Sequence, residues 1–309
     1  MAEPDGKIAL VTGAGSGLVR EIARTLAAAA LLVATLAAAG GPPTVVFLSD
    51  FGTRDDAVAI CKGVMLQIEP ALRLIDLTHE VPAYSVRDGA RLLADTAEHY
   101  PAGTVFLAVV DPGVGSDRKP MVAYTKRRQW FVLPDNGLVT LVAQRQGLVG
   151  ARAITNARWM RPSGRSSTFH GRDVFAPVAA HLARGDDWTR VGPTIAEPVR
   201  LDIRAAAITG DTLRGAVIAT DGPYGNLLTD VDATLAASLG WVVGDQVPVA
   251  IGGEQLTLPF VRTFSDVPAG APLLYIDSRA RLGVAINRGN FAEAHHVTIP
   301  APLAIPRKR

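Results

Sequence analysis

The chain has 309 residues, 48% of them hydrophobic, enough for two domain cores and too apolar for a disordered protein. Charged residues make up 19% and the net charge is +2, an excess carried by the closing Arg307, Lys308 and Arg309. The near-neutral body gives no footprint for nucleic acid, and the single cysteine, Cys61, excludes an internal disulfide framework and a cysteine-based zinc site.

Residues 7–18 run from a short apolar stretch into a Gly-rich turn, similar to the opening of short-chain dehydrogenases. The dinucleotide pattern then fails. From Gly13 the G-x-G-x-x-G register meets Leu18, and from Gly15 it meets Arg20. After Glu21 the next acid is Asp50, and no tyrosine is followed four residues later by lysine. No dinucleotide site is expected here. Arg20 and Arg24 next precede an apolar run over 26–36, then Ala37-Ala38-Ala39 and Gly40-Gly41-Pro42-Pro43. That order fits a secretory signal peptide with an unusual extension ahead of it, or a start codon set too early, with translation beginning near Val19. It fits an Ala-rich surface helix equally well. Residues 1–43 are therefore set apart as a leader. The chain is exported if 19–39 act as a signal, and no membrane span is expected in the mature chain.

From residue 44 the pattern is regular. A buried-type strand is predicted over 44–49, a helix over 55–68, a strand over 72–77, a helix over 86–100 and a strand over 103–110. Strand and helix in alternation predict a doubly wound parallel α/β sheet, with ligands beyond the carboxyl ends of the strands. Asp50, Thr78-His79 and Asp111 all fall at such ends. Beyond residue 200, strand-like pieces at 214–219, 246–251, 272–277 and 282–287, with one short helical stretch near 231–240, predict a small all-β, barrel-like domain. The expected division is 44–198 for the α/β domain, a junction within 193–207, 205–302 for the β domain and 303–309 for a basic tail.

Seven motifs occur in order along this frame: Ser49-Asp50-Phe51-Gly52-Thr53-Arg54-Asp55-Asp56, Asp76-Leu77-Thr78-His79, Val110-Asp111-Pro112-Gly113-Val114-Gly115-Ser116-Asp117-Arg118, Pro134-Asp135-Asn136-Gly137, Thr168-Phe169-His170-Gly171-Arg172-Asp173, Asp221-Gly222-Pro223-Tyr224-Gly225-Asn226, and Ser278-Arg279-Ala280-Arg281 ahead of Asn287. Together they resemble the S-adenosyl-L-methionine (SAM) hydroxide adenosyltransferases, or SAM hydrolases, relatives of the SAM-dependent fluorinase and chlorinase. The resemblance covers roughly 44–300. It implies an α/β domain followed by a β domain, and a homotrimer with SAM bound between neighbouring subunits. It also implies attack of water or hydroxide on C5′ of SAM, releasing adenosine and L-methionine, with SAM as substrate and no cofactor. Such a substrate points to the cytoplasm.

By the same resemblance, Asp111, Arg118 and His170 form the catalytic trio that holds and deprotonates water. Asp50 matches the carboxylate that takes the ribose hydroxyls, Asp55 a second polar contact and Tyr84 an aromatic wall. Asp221 and Asn226 match contacts to the methionine amino group, Ser278 and Arg279 the clamp on its carboxylate, and Asn287 the adenine edge. His79 is read as a supporting residue. The six histidines include no metal-binding pair of the H-E-x-x-H kind, so no metal is expected. The halogenating relatives carry an aromatic residue where Asp111 stands and lack a histidine at the position of His170, which favours water over halide. The alternatives are a halide adenosyltransferase, and a SAM- or adenosine-binding module with incidental turnover.

Overall fold

The computed structural model describes residues 41–161 and 166–309, and the expectations for the first 40 residues lie outside them. The chain divides into two compact units, with the boundary between Val199 and Arg200.

In the N-terminal unit, β1 (Thr44–Ser49), α1 (Ala57–Ile68), β2 (Arg73–Thr78), α2 (Val86–Ala97) and β3 (Val105–Val109) follow the expected alternation. β4 (Pro120–Thr125), β5 (Trp130–Pro134), α3 (Thr140–Gln146), β6 (Leu148–Ala153) and α4 (Ala176–Arg184) complete it. The sheet order is β2-β1-β3-β5-β4-β6. β1 runs parallel to β2 and β3, and β3 parallel to β5. β4 is antiparallel to both β5 and β6, so the sheet is parallel-rich but mixed. The cause is local: the connection between β4 and β5 is a tight turn, closed by Arg128 N–H on Thr125 O at 2.9 Å, and a turn that short joins only antiparallel strands.

β1 and β3 are apolar along their length because both of their faces are covered. Val45, Phe47, Val105 and Leu107 pack against Cys61 and Met65 of α1 and Val178 of α4, while α2 packs with α3. The chain leaves β2, passes through α2 and re-enters the sheet on the far side of β1 as β3. The strand order therefore reverses at β1 and β3, where an open α/β sheet leaves a crevice.

In the C-terminal unit, β7 (Ala207–Thr209), β8 (Thr212–Asp221), β9 (Asn226–Asp232), α5 (Ala233–Ala237), β10 (Gln246–Ile251) and β11 (Glu254–Pro259) are followed by β12 (Pro272–Ile276), β13 (Arg281–Ile286), α6 (Phe291–Ala294) and β14 (Ala301–Pro306). The strands form an antiparallel sheet in the order β11-β10-β14-β8-β9-β13-β12, with β7 on β8. A bridge between Phe260 and Leu274 brings its two edges together, so the sheet is a nearly closed barrel. Leu213, Val217, Leu227, Val249, Leu274 and Val284 fill its interior. One expectation needs correction. β14 pairs with β8 and β10 as far as Pro306, so the tail expected over 303–309 is mostly barrel strand. Its last residues are pinned too: Lys308 reaches Asp245 at 2.5 Å and lies over the Trp241 ring.

α2 begins on a capping interaction beside the future site. Ser85 Oγ accepts the Asp88 N–H at 3.3 Å and donates to the Asp88 carboxylate at 2.6 Å. Ser85→Ala is expected to cost about 1 kcal/mol of stability, read as a lower urea midpoint at unchanged slope. An unchanged midpoint would show that the cap contributes nothing.

Candidate active site

Asp50 directly follows β1, and Asp111 lies two residues beyond the end of β3. Ser49 is the register partner of Val109, so both carboxylates emerge on one rim at the same level. They line a pocket of about 260 Å³ with Phe51, Tyr84, Phe169 and His170. Asp50 Oδ2 accepts the Tyr84 N–H at 2.9 Å. Tyr84 is held at φ 65°, a left-handed conformation unfavourable for any residue with a side chain, and is 74% exposed.

Arg118 folds back onto Asp111 across the turn 112–117. Val114 N–H closes on Asp111 O at 3.2 Å, and Ser116 Oγ donates to Gly113 O at 2.6 Å. Gly115 sits at φ 80°, and a Cβ there would lie 2.9 Å from Ser167 O, so glycine lets this turn press against the strand of chain that carries His170. Arg118 Nε donates to Asp111 Oδ1 at 2.7 Å and its Nη2 to Asp111 Oδ2, a two-pronged pair with side chains only 9 and 6% exposed. The same Nη2 lies 3.0 Å from His170 Nδ1. The guanidinium stacks over Phe175 at 5.2 Å, and its Nη1 is buried without a hydrogen-bond partner.

A guanidinium can only donate, so His170 Nδ1 must accept and the ring proton sits on Nε2. Burial and then the Arg118 charge push the His170 pKa below its ordinary value, against the opposing pull of Asp111 and Asp173. The ring is thus neutral at neutral pH. Its backbone leads into a π-helical turn, Gly171–Phe175, that runs straight into α4. Gly171 is required there: a Cβ would come within 2.9 Å of the Phe51 ring. Buried Asp173 anchors the turn. Burial works to raise its pKa, but Arg172 at 2.6 and 2.8 Å and Ser166 N–H at 2.7 Å hold its carboxyl below the usual range.

The C-terminal unit has a pocket of its own, of about 630 Å³, lined by Asp221, Tyr224, Asn226, Phe264 and Asn287 among others. Asp221 ends β8 and Asn226 opens β9, directly paired across the turn. Asn287 also donates to Val267 O at 2.8 Å. Ser278 and Arg279 lie on the exposed turn between β12 and β13, outside this lining, where Asp277 Oδ1 accepts the Arg279 N–H at 2.8 Å. Nearby, burial first and then the charges of Asp221 and Asp277 push the Tyr275 hydroxyl up to about 12, with Arg279 opposing.

The first pocket thus unites Asp50, Tyr84, Asp111 and His170, with Arg118 behind Asp111, and the second unites Asp221, Asn226 and Asn287. Asp55 is outside both linings; its Oδ1 accepts Ala57 N–H at 3.1 Å at the start of α1. Sequence reading passed over Phe51, Phe169, Tyr224 and Phe264, although the first three lie inside the quoted motifs. Among the described residues no group of His, Cys, Asp and Glu side chains is placed to hold a metal ion, and no helix is long and apolar enough to cross a membrane.

Comparison with known proteins agrees in both units. The family model of the SAM hydroxide adenosyltransferase N-terminal domain matches residues 45–192, and that of the C-terminal domain matches residues 215–303. The chain is 39% identical over 258 residues to the (R)-S-adenosyl-L-methionine hydrolase of Salinispora arenicola, covering 82% of this chain and 94% of that one. It is 38% identical to the Thermus thermophilus enzyme of the same name over 81 and 94% of the two chains. A fluorinase from an Actinoplanes species is 32% identical over 85 and 93%. Among solved structures, an uncharacterized conserved protein from Thermotoga maritima superposes with a TM-score of 0.82 at 36% identity, covering 85% of this chain and all of that one.

The Arg118 charge assigned beside His170 has a measurable consequence. Removing the Arg118 cation in Arg118→Met should raise the His170 pKa toward its ordinary value, because a charge that disfavours imidazolium is gone. Asp111→Asn should lower it further, since the opposing carboxylate is lost. Ring-proton chemical shifts followed through a pH titration read both, and a fall in Arg118→Met would refute the assignment.

Proposed function

The chain belongs to the SAM hydroxide adenosyltransferase family, and we propose that it hydrolyses S-adenosyl-L-methionine to adenosine and L-methionine by attack of water on C5′. The observation that carries this reading is the Asp111 carboxylate facing the first pocket, gripped from behind by Arg118, beside a neutral His170.

The chemistry asks for little else. The O–C5′ bond forms as the C5′–S bond breaks, and the bonding pair goes to sulfur, which departs as a neutral thioether. No general acid is needed. The barrier lies in bringing a poorly solvated, hydroxide-like oxygen into line with the C–S bond. Asp111 is assigned as the acceptor of the water proton. Arg118 occupies one lone pair on each of its oxygens, which fixes its plane and leaves other lone pairs for water. His170 presents Nε2–H to orient the same water. As the hydroxide-like oxygen, its proton passing to Asp111, attacks C5′, its negative charge and the sulfonium's positive charge merge. The walls of Phe51 and Phe169 therefore favour the step once water is held. The scheme needs no cofactor.

Asp50 is assigned to the ribose hydroxyls and Tyr84 to the wall beside them. Asp221, Asn226, Ser278, Arg279 and Asn287 are assigned to the methionine end and the adenine edge. Asp55 is assigned to a second polar contact, although its Oδ1 already accepts the Ala57 N–H at the start of α1. The two pockets divide the assignments between them, reaction and ribose groups on one and amino-acid and adenine groups on the other. We infer a homotrimer in which the first pocket of one copy is completed by the second pocket of a neighbour. A head-to-tail contact of this kind polymerises unless it closes into a ring. The exposed Tyr84, Tyr224 and Phe264 at the pocket mouths supply apolar surface for it.

Two experiments test this. Purified enzyme given SAM should yield adenosine and methionine in equal amounts, and Asp111→Asn or His170→Ala should lose about 10²-fold or more in kcat while still binding SAM. Near-wild-type turnover in either variant removes that residue from the mechanism. For assembly, an Asp111→Asn protein mixed with an Arg279→Ala protein should regain activity on subunit exchange, because some hybrid sites carry neither lesion. No recovery, with a monomer mass by light scattering, refutes the shared site.

A further inference from the structure

Outside the pocket, a second group of side chains sits at the carboxyl end of β1. Ser49 Oγ lies 2.7 Å from His79 Nδ1, His79 Nε2 lies 3.0 Å from Asp76 Oδ1, and Lys62 Nζ lies 2.6 Å from Asp76 Oδ2. Serine, histidine and aspartate in series suggest a nucleophile, but Ser49 is 0% exposed and is absent from the pocket lining. A nucleophile sealed from substrate has no use. The chain must serve another purpose.

Its polarity can be followed atom by atom. Asp76 accepts from the Lys62 ammonium and from His79 Nε2–H. Burial works to raise its pKa, and the hydrogen bonds from Lys62 and His79 outweigh this and hold the carboxyl below its usual range. With the ring proton on Nε2, Nδ1 accepts the Ser49 hydroxyl proton, and Ser49 Oγ is left to accept the Phe51 N–H at 3.4 Å. The series therefore runs one way, from the backbone of the residue after Asp50 to a charged pair at the surface.

The same histidine holds the loop that carries Tyr84. Its carbonyl accepts the Gly52 N–H at 2.7 Å, and Val81 N–H reaches Ser49 O at 3.4 Å. Thr53 Oγ1 donates to Glu80 at 2.8 Å, and Asp50 itself takes the Tyr84 N–H. The His79 ring is 4% exposed and packs edge-on against Phe47 with centroids 4.7 Å apart. The register of β1 against β2 slips by one residue between Phe47 and Leu48, a bulge just ahead of His79. Two loops that must present a carboxylate and an aromatic wall at fixed spacing are thus tied to one buried ring.

We propose that Ser49, His79 and Asp76 form a hydrogen-bonded strut, with His79 the positioning residue that sets Asp50 and Tyr84 for the nucleoside end of the substrate. This rests on the substrate reading given above.

The test separates positioning from mere folding. Ser49→Ala removes a hydroxyl from a buried site with little change in volume. It should weaken adenosine binding roughly tenfold by calorimetry and raise KM for SAM by a similar factor. kcat at saturating SAM should stay within about twofold of wild type, with the number of binding sites unchanged. Asp76→Asn, which keeps an acceptor for Nε2–H, should lie within about threefold of wild type for adenosine, and His79→Ala should be at least as impaired as Ser49→Ala. Because the strut acts in part through Asp50, Asp50→Ala combined with Ser49→Ala should lose less adenosine affinity than the sum of the two single losses. Wild-type adenosine affinity in Ser49→Ala would overturn the proposal. So would a loss of sites and of kcat at unchanged affinity, or a fully additive double variant. Wild-type protein that binds no adenosine would refute the substrate reading and the proposal with it.

Discussion

Everything at the site follows from how β1 lies on β3. The two strands are adjacent, parallel and in register, Ser49 beside Val109, and each is buried on both faces. Their carboxyl ends therefore cannot slide or tilt without exposing a continuous apolar run to water. Asp50 and Asp111 inherit that rigidity, because only one residue separates Asp111 from the last buried strand pair. Chemistry that needs an oxygen in line with one particular bond tolerates little positional scatter. A parallel sheet with its strand order reversing at this pair supplies a crevice whose two key carboxylates are fixed by the core itself.

The second requirement is a carboxylate that is dry and yet charged. Taking the Asp111 carboxylate out of water alone would be costly. Arg118 resolves this at a cost, since taking both charges out of water is unfavourable unless geometry is close to ideal. The Gly-containing turn, with Gly115 pressed against Ser167 O, and the stacking of the guanidinium on Phe175 give that geometry. His170 then has its Nδ1 committed to Arg118, so its tautomer and ring plane follow from the ion pair. The π-helical turn after it, anchored by Asp173, is the local irregularity that brings the ring to the rim.

Much of this was legible in the sequence, for physical reasons. Long apolar runs alternating with helical spacing mark buried parallel strands, and the motifs at their ends carry the polar groups. β4, β5 and β6 were less visible, since the reversal of β4 between its two neighbours depends on one short turn. In the barrel, β9, β11 and β14 escaped because proline, acids and small residues interrupt their alternation; β14, Ala-Pro-Leu-Ala-Ile-Pro, reads as a tail until its partners β8 and β10 are known. Asp55 reads as a substrate contact, and spacing alone could not tell that the start of α1 would take its Oδ1. His79 was seen as a strand-end residue, but its ties to Ser49 and Asp76 depend on a bulge that no sequence pattern announces.

The same geometry bears on the choice of nucleophile. A halide offers no proton and accepts hydrogen bonds only, so its site wants donors and no exposed anion. Here the group facing the pocket from β3 is a carboxylate. Arg118 neutralises it overall but from behind, so the field on the pocket side is still that of an acceptor. Water suits such a place because it can donate to Asp111 and accept from His170 Nε2–H at once, which orients its remaining lone pair. A halide would meet one donor and one anion. Under the proposed mechanism, discrimination comes from an arrangement that only a molecule with both donor and acceptor character can satisfy.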